Sequence, residues 1–206
     1  MIPDNRLSSY PMPAALVGSD KFPITDTLEY EEGPFALQDV SRGLQYQIWR
    51  MRLIGESVYV TSPTTPETEL FSKRGITQVS LSFDQNARPV IAYIINSSQL
   101  WLYWYSPVLQ SFTHTQIDDG VRDVRITMPD KRAFQIPESV IGMFYTKGDK
   151  LLVRWQTDRY GDVQELQSGI AGRLMRVGMN AHYRLQFIFQ AQPYETYSCT
   201  RELICL

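Results

Sequence analysis

The sequence is short of the residues from which most catalytic and metal sites are built. Its 206 residues include two cysteines and two histidines. Cys199, Cys205, His114 and His182 are too few and too scattered for the closed ligand set of a structural zinc site, so neither a metal nor any other cofactor is expected. Long hydrophobic runs are also missing. Apolar residues make up 43% of the chain, yet no run approaches the roughly 20 residues that a membrane-spanning helix needs, and no membrane contact is expected. Neither sign of charge dominates: 20 Lys+Arg against 22 Asp+Glu leave a net charge of -2. That balance offers no broad basic footprint, so no nucleic-acid contact is expected. The opening stretch MIPDNRLSSYPMPAAL has neither a basic n-region nor an apolar h-region. A secretory signal is therefore not expected, and in a reducing compartment the two cysteines are expected to be free thiols.

Motifs of turnover are absent as well. There is no Gly-x-Ser-x-Gly, no Cys/His pairing and no glycine-rich phosphate loop. His114 sits in a strand-like stretch and His182 opens the last strand, but a catalytic base needs an orienting partner and a nucleophile within reach. Asp118-Asp119-Gly120 reads as a turn, because adjacent carboxylates on a strand leave by opposite faces; it is read neither as a hydrolytic carboxylate pair nor as a calcium loop. No catalytic residue is assigned, and the protein is not expected to be an enzyme.

Proline and strand-forming patterns are what the sequence does contain. Pro3, Pro11, Pro13, Pro23 and Pro34 punctuate residues 1–34 and leave little room for regular structure. This segment is either disordered or an extended arm that orders across a neighbouring subunit. Leu16, Val17, Phe22, Ile24, Leu28 and Tyr30 give such an arm apolar anchors. From residue 45 the pattern becomes that of an all-β, mainly antiparallel domain covering residues 35–190. Residues 46–53 and 57–60 flank a Gly55-Glu56 turn, and SPTTPETE follows as a loop with two prolines. Residues 79–83 alternate, and SFDQNAR after them fits plain hairpin chemistry better than an Asp-box turn. Residues 90–95 form a continuous apolar run, as expected for a strand covered on both faces, and residues 100–105 carry four aromatics that cannot all face one way. One face of that strand needs a second partner surface.

The same layout then returns. Residues 123–128, 140–145 and 150–155 repeat it after a shift of roughly 50 residues, with Val90 matching Val140 and Trp104 matching Trp155. The hairpin at 46–60 is a candidate third, shortened copy. Hairpin repeats of this kind resemble propeller blades or a sandwich. Residues 164–167 fit a strand or a turn, residues 170–177 fit either period, and residues 183–190 alternate as a last strand. Residues 191–206 are read as a C-terminal tail. Arg50 beside Trp49 and Arg154 beside Trp155 are candidates for cation–π stacking, while Asp130-Lys131-Arg132 and Asp158-Arg159-Tyr160 read as charged strand ends.

Five strings carry a resemblance: LQDVSRGL, VSLSFDQNARPVIAYI, LWLYWYSPV, MPDKRAFQIPESVIGMFYTKGDKLLVRWQTDRYGDVQEL, and VGMN before RLQF. Together they cover roughly residues 35–190, and in them the chain resembles small structural proteins of tailed-bacteriophage virions. MPDKR stands where that pattern has DDKR, Ser106 where it has Asp, and Thr157 where it has Arg. The resemblance implies a virion component of the tail, neck or baseplate, assembled in the host bacterial cytoplasm, acting by subunit packing without catalysis. Its implied partners are other copies of itself and other tail or neck proteins. The interface anchors expected on this basis are Leu16, Phe22, Tyr30, Trp101, Tyr103 and Tyr105. The alternative is a carbohydrate-binding module for host-surface glycans, with Trp101 or Trp155 as an open aromatic shelf.

Overall fold

The computed structural model describes residues 27–37, 46–62, 65–84, 88–127, 141–179, 185–192 and 195–201. These form strands β1 (Thr27–Leu37), β2 (Tyr46–Ile54), β3 (Ser57–Ser62), β4 (Thr65–Ser72), β5 (Ile76–Phe83), β6 (Pro89–Ile95), β7 (Gln99–Ser106) and β8 (Ser111–Asp118). They continue as β9 (Val121–Thr127), β10 (Gly142–Lys147), β11 (Lys150–Trp155), β12 (Gln164–Gln167), β13 (Arg173–Met179), β14 (Leu185–Gln192) and β15 (Glu195–Arg201). Among the described residues, the only helical element is a single 3-10 turn, Gln156–Asp158. Among the described residues, no helix is long and apolar enough to cross a membrane.

Every strand pairs antiparallel with its chain neighbour inside one of four sheets: β1–β4, β5–β8, β9–β12 and β13–β15. Each sheet is a simple meander, so the repeat suspected from the sequence is a whole sheet. The hairpin at 46–60 is the centre of a full copy, with β1 and β4 on either side. Three strands differ from the expectation. Thr27–Leu37 pairs with β2, although its first part falls in the segment read as an arm. Thr65–Ser72 pairs with β3, although its prolines suggested a loop. Pro66 is tolerated because β4 is an edge strand, where a missing N–H need not break a ladder bond. The tail likewise contains strand β15, with Cys199 opposite Phe187.

The sheets stack face to face in chain order, and period-two alternation divides each inner sheet between two cores. On β6, Ile91, Tyr93 and Ile95 face the first core with Met51, Leu53, Val58 and Val60 of sheet 1. Val90, Ala92 and Ile94 face the second core with Val124, Ile126, Met143 and Tyr145 of sheet 3. Phe144, Leu151 and Val153 then meet Leu174, Leu185, Phe187 and Phe189 of sheet 4 in the third core. Close approach fixes Gly142 at the edge of that core: a Cβ there would lie 2.7 Å from the Phe144 ring and 2.8 Å from Trp155.

Polar side chains on the leading strand of one sheet dock the leading strand of the next. The Val124 N–H donates to Gln78 Oε1 (2.7 Å) and the Ile126 N–H to Ser80 Oγ (3.0 Å), tying β9 to β5. One step on, the Leu174 N–H donates to the Asp123 carboxylate (3.2 Å), tying β13 to β9. Asp123 is 0% exposed and also accepts from Thr146 Oγ1, Arg122 Nε and Arg173 Nε. Four donors offset the cost of burying that charge. A second latch joins sheets 2 and 3: Tyr145 donates to Asp118 (2.8 Å), Lys147 Nζ pairs with the same carboxylate (2.7 Å), and Arg154 Nε donates to the Tyr145 hydroxyl (3.0 Å). Burial pushes the Tyr145 hydroxyl up to about 12, so it stays a donor. Burial also raises the Asp118 carboxyl, but the bonds from Lys147 and Tyr145 outweigh this and hold it below its ordinary value. Asp118 therefore closes a turn and bridges two sheets, while Arg154 turns to this latch and to the Tyr160 carbonyl (3.0 Å) instead of stacking on Trp155.

Candidate interface on the second sheet

Trp101, Tyr103 and Tyr105 alternate along β7 on the face toward sheet 1. Tyr103 is buried; its ring stacks on Phe112 (centroids 5.0 Å apart, interplanar angle 9°) and meets Phe71 of β4 at 4.8 Å and His114 at 5.1 Å. The Tyr93 hydroxyl and His114 Nδ1 share a 2.9 Å hydrogen bond. Trp101 packs partly buried against the same core, with the Lys73 ammonium 4.7 Å from its ring centroid. Tyr105 carries the Arg88 guanidinium 3.6 Å above its ring. Leu100, Leu102 and Trp104 leave by the other face toward sheet 3. The second surface that this aromatic strand requires is thus supplied within the chain, by sheets 1 and 3.

Burial and the nearby Lys73 charge lower the His114 pKa, so the imidazole is neutral at pH 7, while burial raises the Tyr93 hydroxyl. His114 is a packing ring among aromatics: Phe71 meets it edge-on at 4.9 Å and Tyr93 at 6.0 Å. Of the other sequence candidates, Trp155 packs edge-on against Phe144 at 5.7 Å in the third core. Asp84 closes the β5–β6 hairpin, accepting the Arg88 N–H at 2.9 Å. Tyr30 lies in β1, within the register shift between Leu28 and Glu31. Leu16, Phe22, His182, Cys205 and Asp130-Lys131-Arg132 lie outside the described residues.

The outer border of sheet 2 differs from its faces. Val108 and Leu109 at the β7–β8 turn are 69% and 64% exposed, and Phe112 beside them is 40% exposed. The turn is held by the Leu109 N–H donating to Ser106 Oγ (3.3 Å) and by a left-handed Gln110 (φ 50°). Sheet 3 repeats the feature at the equivalent connection, where Val163 is 52% exposed. Beyond the turn runs β8, which pairs with β7 on one side and, among the described residues, with no strand on the other. Sequence reasoning passed over Phe71, Arg88 and this open edge. The run SFTHTQI at residues 111–117, free of proline, lysine, arginine and acid, was the available signal.

Asp158-Arg159-Tyr160 proves more than a charged strand end. Arg159 and Tyr160 are both left-handed (φ 58° and 62°), a conformation that costs ordinary residues about 1 kcal/mol or more each. The bend drives Tyr160 between sheets 2 and 3, where its ring meets Trp104 edge-on at 5.9 Å. Among the described residues, no group of three or more His, Cys, Asp or Glu is arranged to hold a metal ion. No protein-family model and no curated protein matches this chain.

Proposed function

We propose that the chain is a structural subunit of a tailed-bacteriophage virion, part of the tail, neck or baseplate, and that it works by packing against other subunits without catalysis. The virion setting rests on the sequence resemblance. The observation that carries the packing role is the open stack: successive sheets share cores, whereas among the described residues no shared core joins sheet 1 to sheet 4. A stack that is unclosed among the described residues keeps terminal sheets and outer edges available for neighbours, and repeated subunits in closed symmetry are the common way to use such surfaces.

The test has two parts. Light scattering on the purified chain, with tail proteins added, is expected to show a defined multi-subunit particle, and antibody labelling of virions is expected to decorate the tail. A chain that stays monomeric with and without those proteins, and that is missing from purified virions, overturns the proposal.

A further inference from the structure

The trailing edge strands of the first three sheets, β4, β8 and β12, are not equally guarded against pairing. β4 carries Pro66, Glu67 and Glu69, and β12 has only four residues, including Glu165. Proline, charge and shortness are the ordinary means of blunting an edge. β8 has no proline and is not short, and its charge and a register shift at Ile117, which is itself a blunting device, are confined to its last residues, so Ser111–Gln116 runs in unbroken register. It is eight residues long, reads SFTHTQID, and its one charged side chain, Asp118, is engaged with Lys147 and Tyr145.

The edge is also firm. Trp104 Nε1 donates to Thr115 Oγ1 (3.2 Å), and Phe112 and His114 are pinned by their ring contacts with Tyr103. A strand so fixed loses little conformational freedom when it gains a partner.

We propose that β8 is a docking strand for β8 of a second copy of this chain, the two running antiparallel about a two-fold axis at His114. This rests on the assembly role proposed above and names the surface through which copies meet. The segment is self-complementary in that register. Thr113 stands opposite Thr115 twice, a favourable cross-strand pair, and Phe112 stands opposite Gln116. Asp118 lies beyond the register shift at Ile117, and Ser111–Gln116 holds no Lys, Arg, Asp or Glu, so no like charges meet in the ladder. The junction fuses two four-stranded sheets into one of eight strands, and an isologous contact of this type closes on itself. The exposed Val108 and Leu109 flank the new ladder at both ends and gain cover there.

Two measurements test it on the full chain. In the wild type, amide exchange across Ser111–Asp118 is expected to slow as concentration rises through the association range, while exchange in β4 stays constant. The double variant Thr113→Lys/Thr115→Lys, which sets lysines opposite each other, is expected to weaken self-association by about tenfold or more with its circular dichroism retained. Glu67→Lys on β4 serves as the control and is expected to leave association unchanged. Association with β8 exchange independent of concentration overturns the pairing and leaves the assembly role standing, as does concentration-independent exchange in a chain that associates only with other tail proteins. A chain that never associates, with itself or with tail proteins, overturns both.

Discussion

Sheets 1 and 2 share a topology and differ in what they bury. Both faces of sheet 2 are apolar, with Ile91, Tyr93 and Ile95 on one side of β6 and Val90, Ala92 and Ile94 on the other. Sheet 1 buries one face through Met51, Leu53, Val58 and Val60. Its other face carries an ionic and hydroxyl lattice: Arg52 pairs with Glu67, and Tyr59 and Ser57 both donate to Glu69 at 3.1 Å. The same meander therefore serves as an interior layer or as an end layer, and the choice lies in whether alternate side chains are apolar or polar.

The largest expected effect is on the doubly covered sheet. Tyr93→Ala removes a fully buried ring and its bond to His114 and is expected to cost about 3–5 kcal/mol in denaturant unfolding. Tyr59→Ala, on the solvated face of sheet 1, is expected to stay within about 0.5 kcal/mol. Equal losses at the two positions would break the contrast.

Next comes the junction of sheets 3 and 4. Asp123→Ala leaves the Leu174 N–H and the Thr146 hydroxyl without their buried acceptor and is expected to cost about 3 kcal/mol. Differential scanning calorimetry checks this, and a change no larger than that of a surface substitution would show that the sheets are held by apolar packing alone.

A smaller effect separates His114 from the Asp118 latch by pH. The lowered His114 pKa means that the unfolded chain binds a proton which the folded chain resists. Its contribution is present in full above the ordinary imidazole value of about 6.5 and is lost as pH falls from there through the folded value. The lowered Asp118 pKa contributes above the ordinary carboxyl value of about 4 and is lost as pH falls below it. Unfolding curves along a pH series are expected to show both steps, and His114→Gln is expected to remove the upper one alone. The smallest effect is Arg52→Ala, about 0.5 kcal/mol and diminished by salt, because the Arg52–Glu67 pair is exposed.

Much of the strand order was legible because period-two alternation is a local signal. Lys150–Trp155 forms a strand at the limits read from the sequence, Gln164–Gln167, open between strand and turn, is a strand, and Asn96-Ser97 turns with both residues left-handed (φ 51° and 60°). Thr65–Ser72 was masked by its prolines, since the sequence does not say which strands will lie at an edge. The aromatic strand 100–105 showed that it needed two partner surfaces without showing that both belong to the same chain.

The sequence by itself determined an all-β chain of repeated antiparallel hairpins, because alternation, turn residues and apolar runs act over a few residues. Only the tertiary structure decided that the hairpins are centres of whole sheets, that these stack with three cores between them, and that Asp118 and Asp123 bridge neighbouring sheets. Those outcomes depend on which faces meet across about 50 residues of chain, a matter of packing and hydrogen-bond satisfaction that no local pattern encodes.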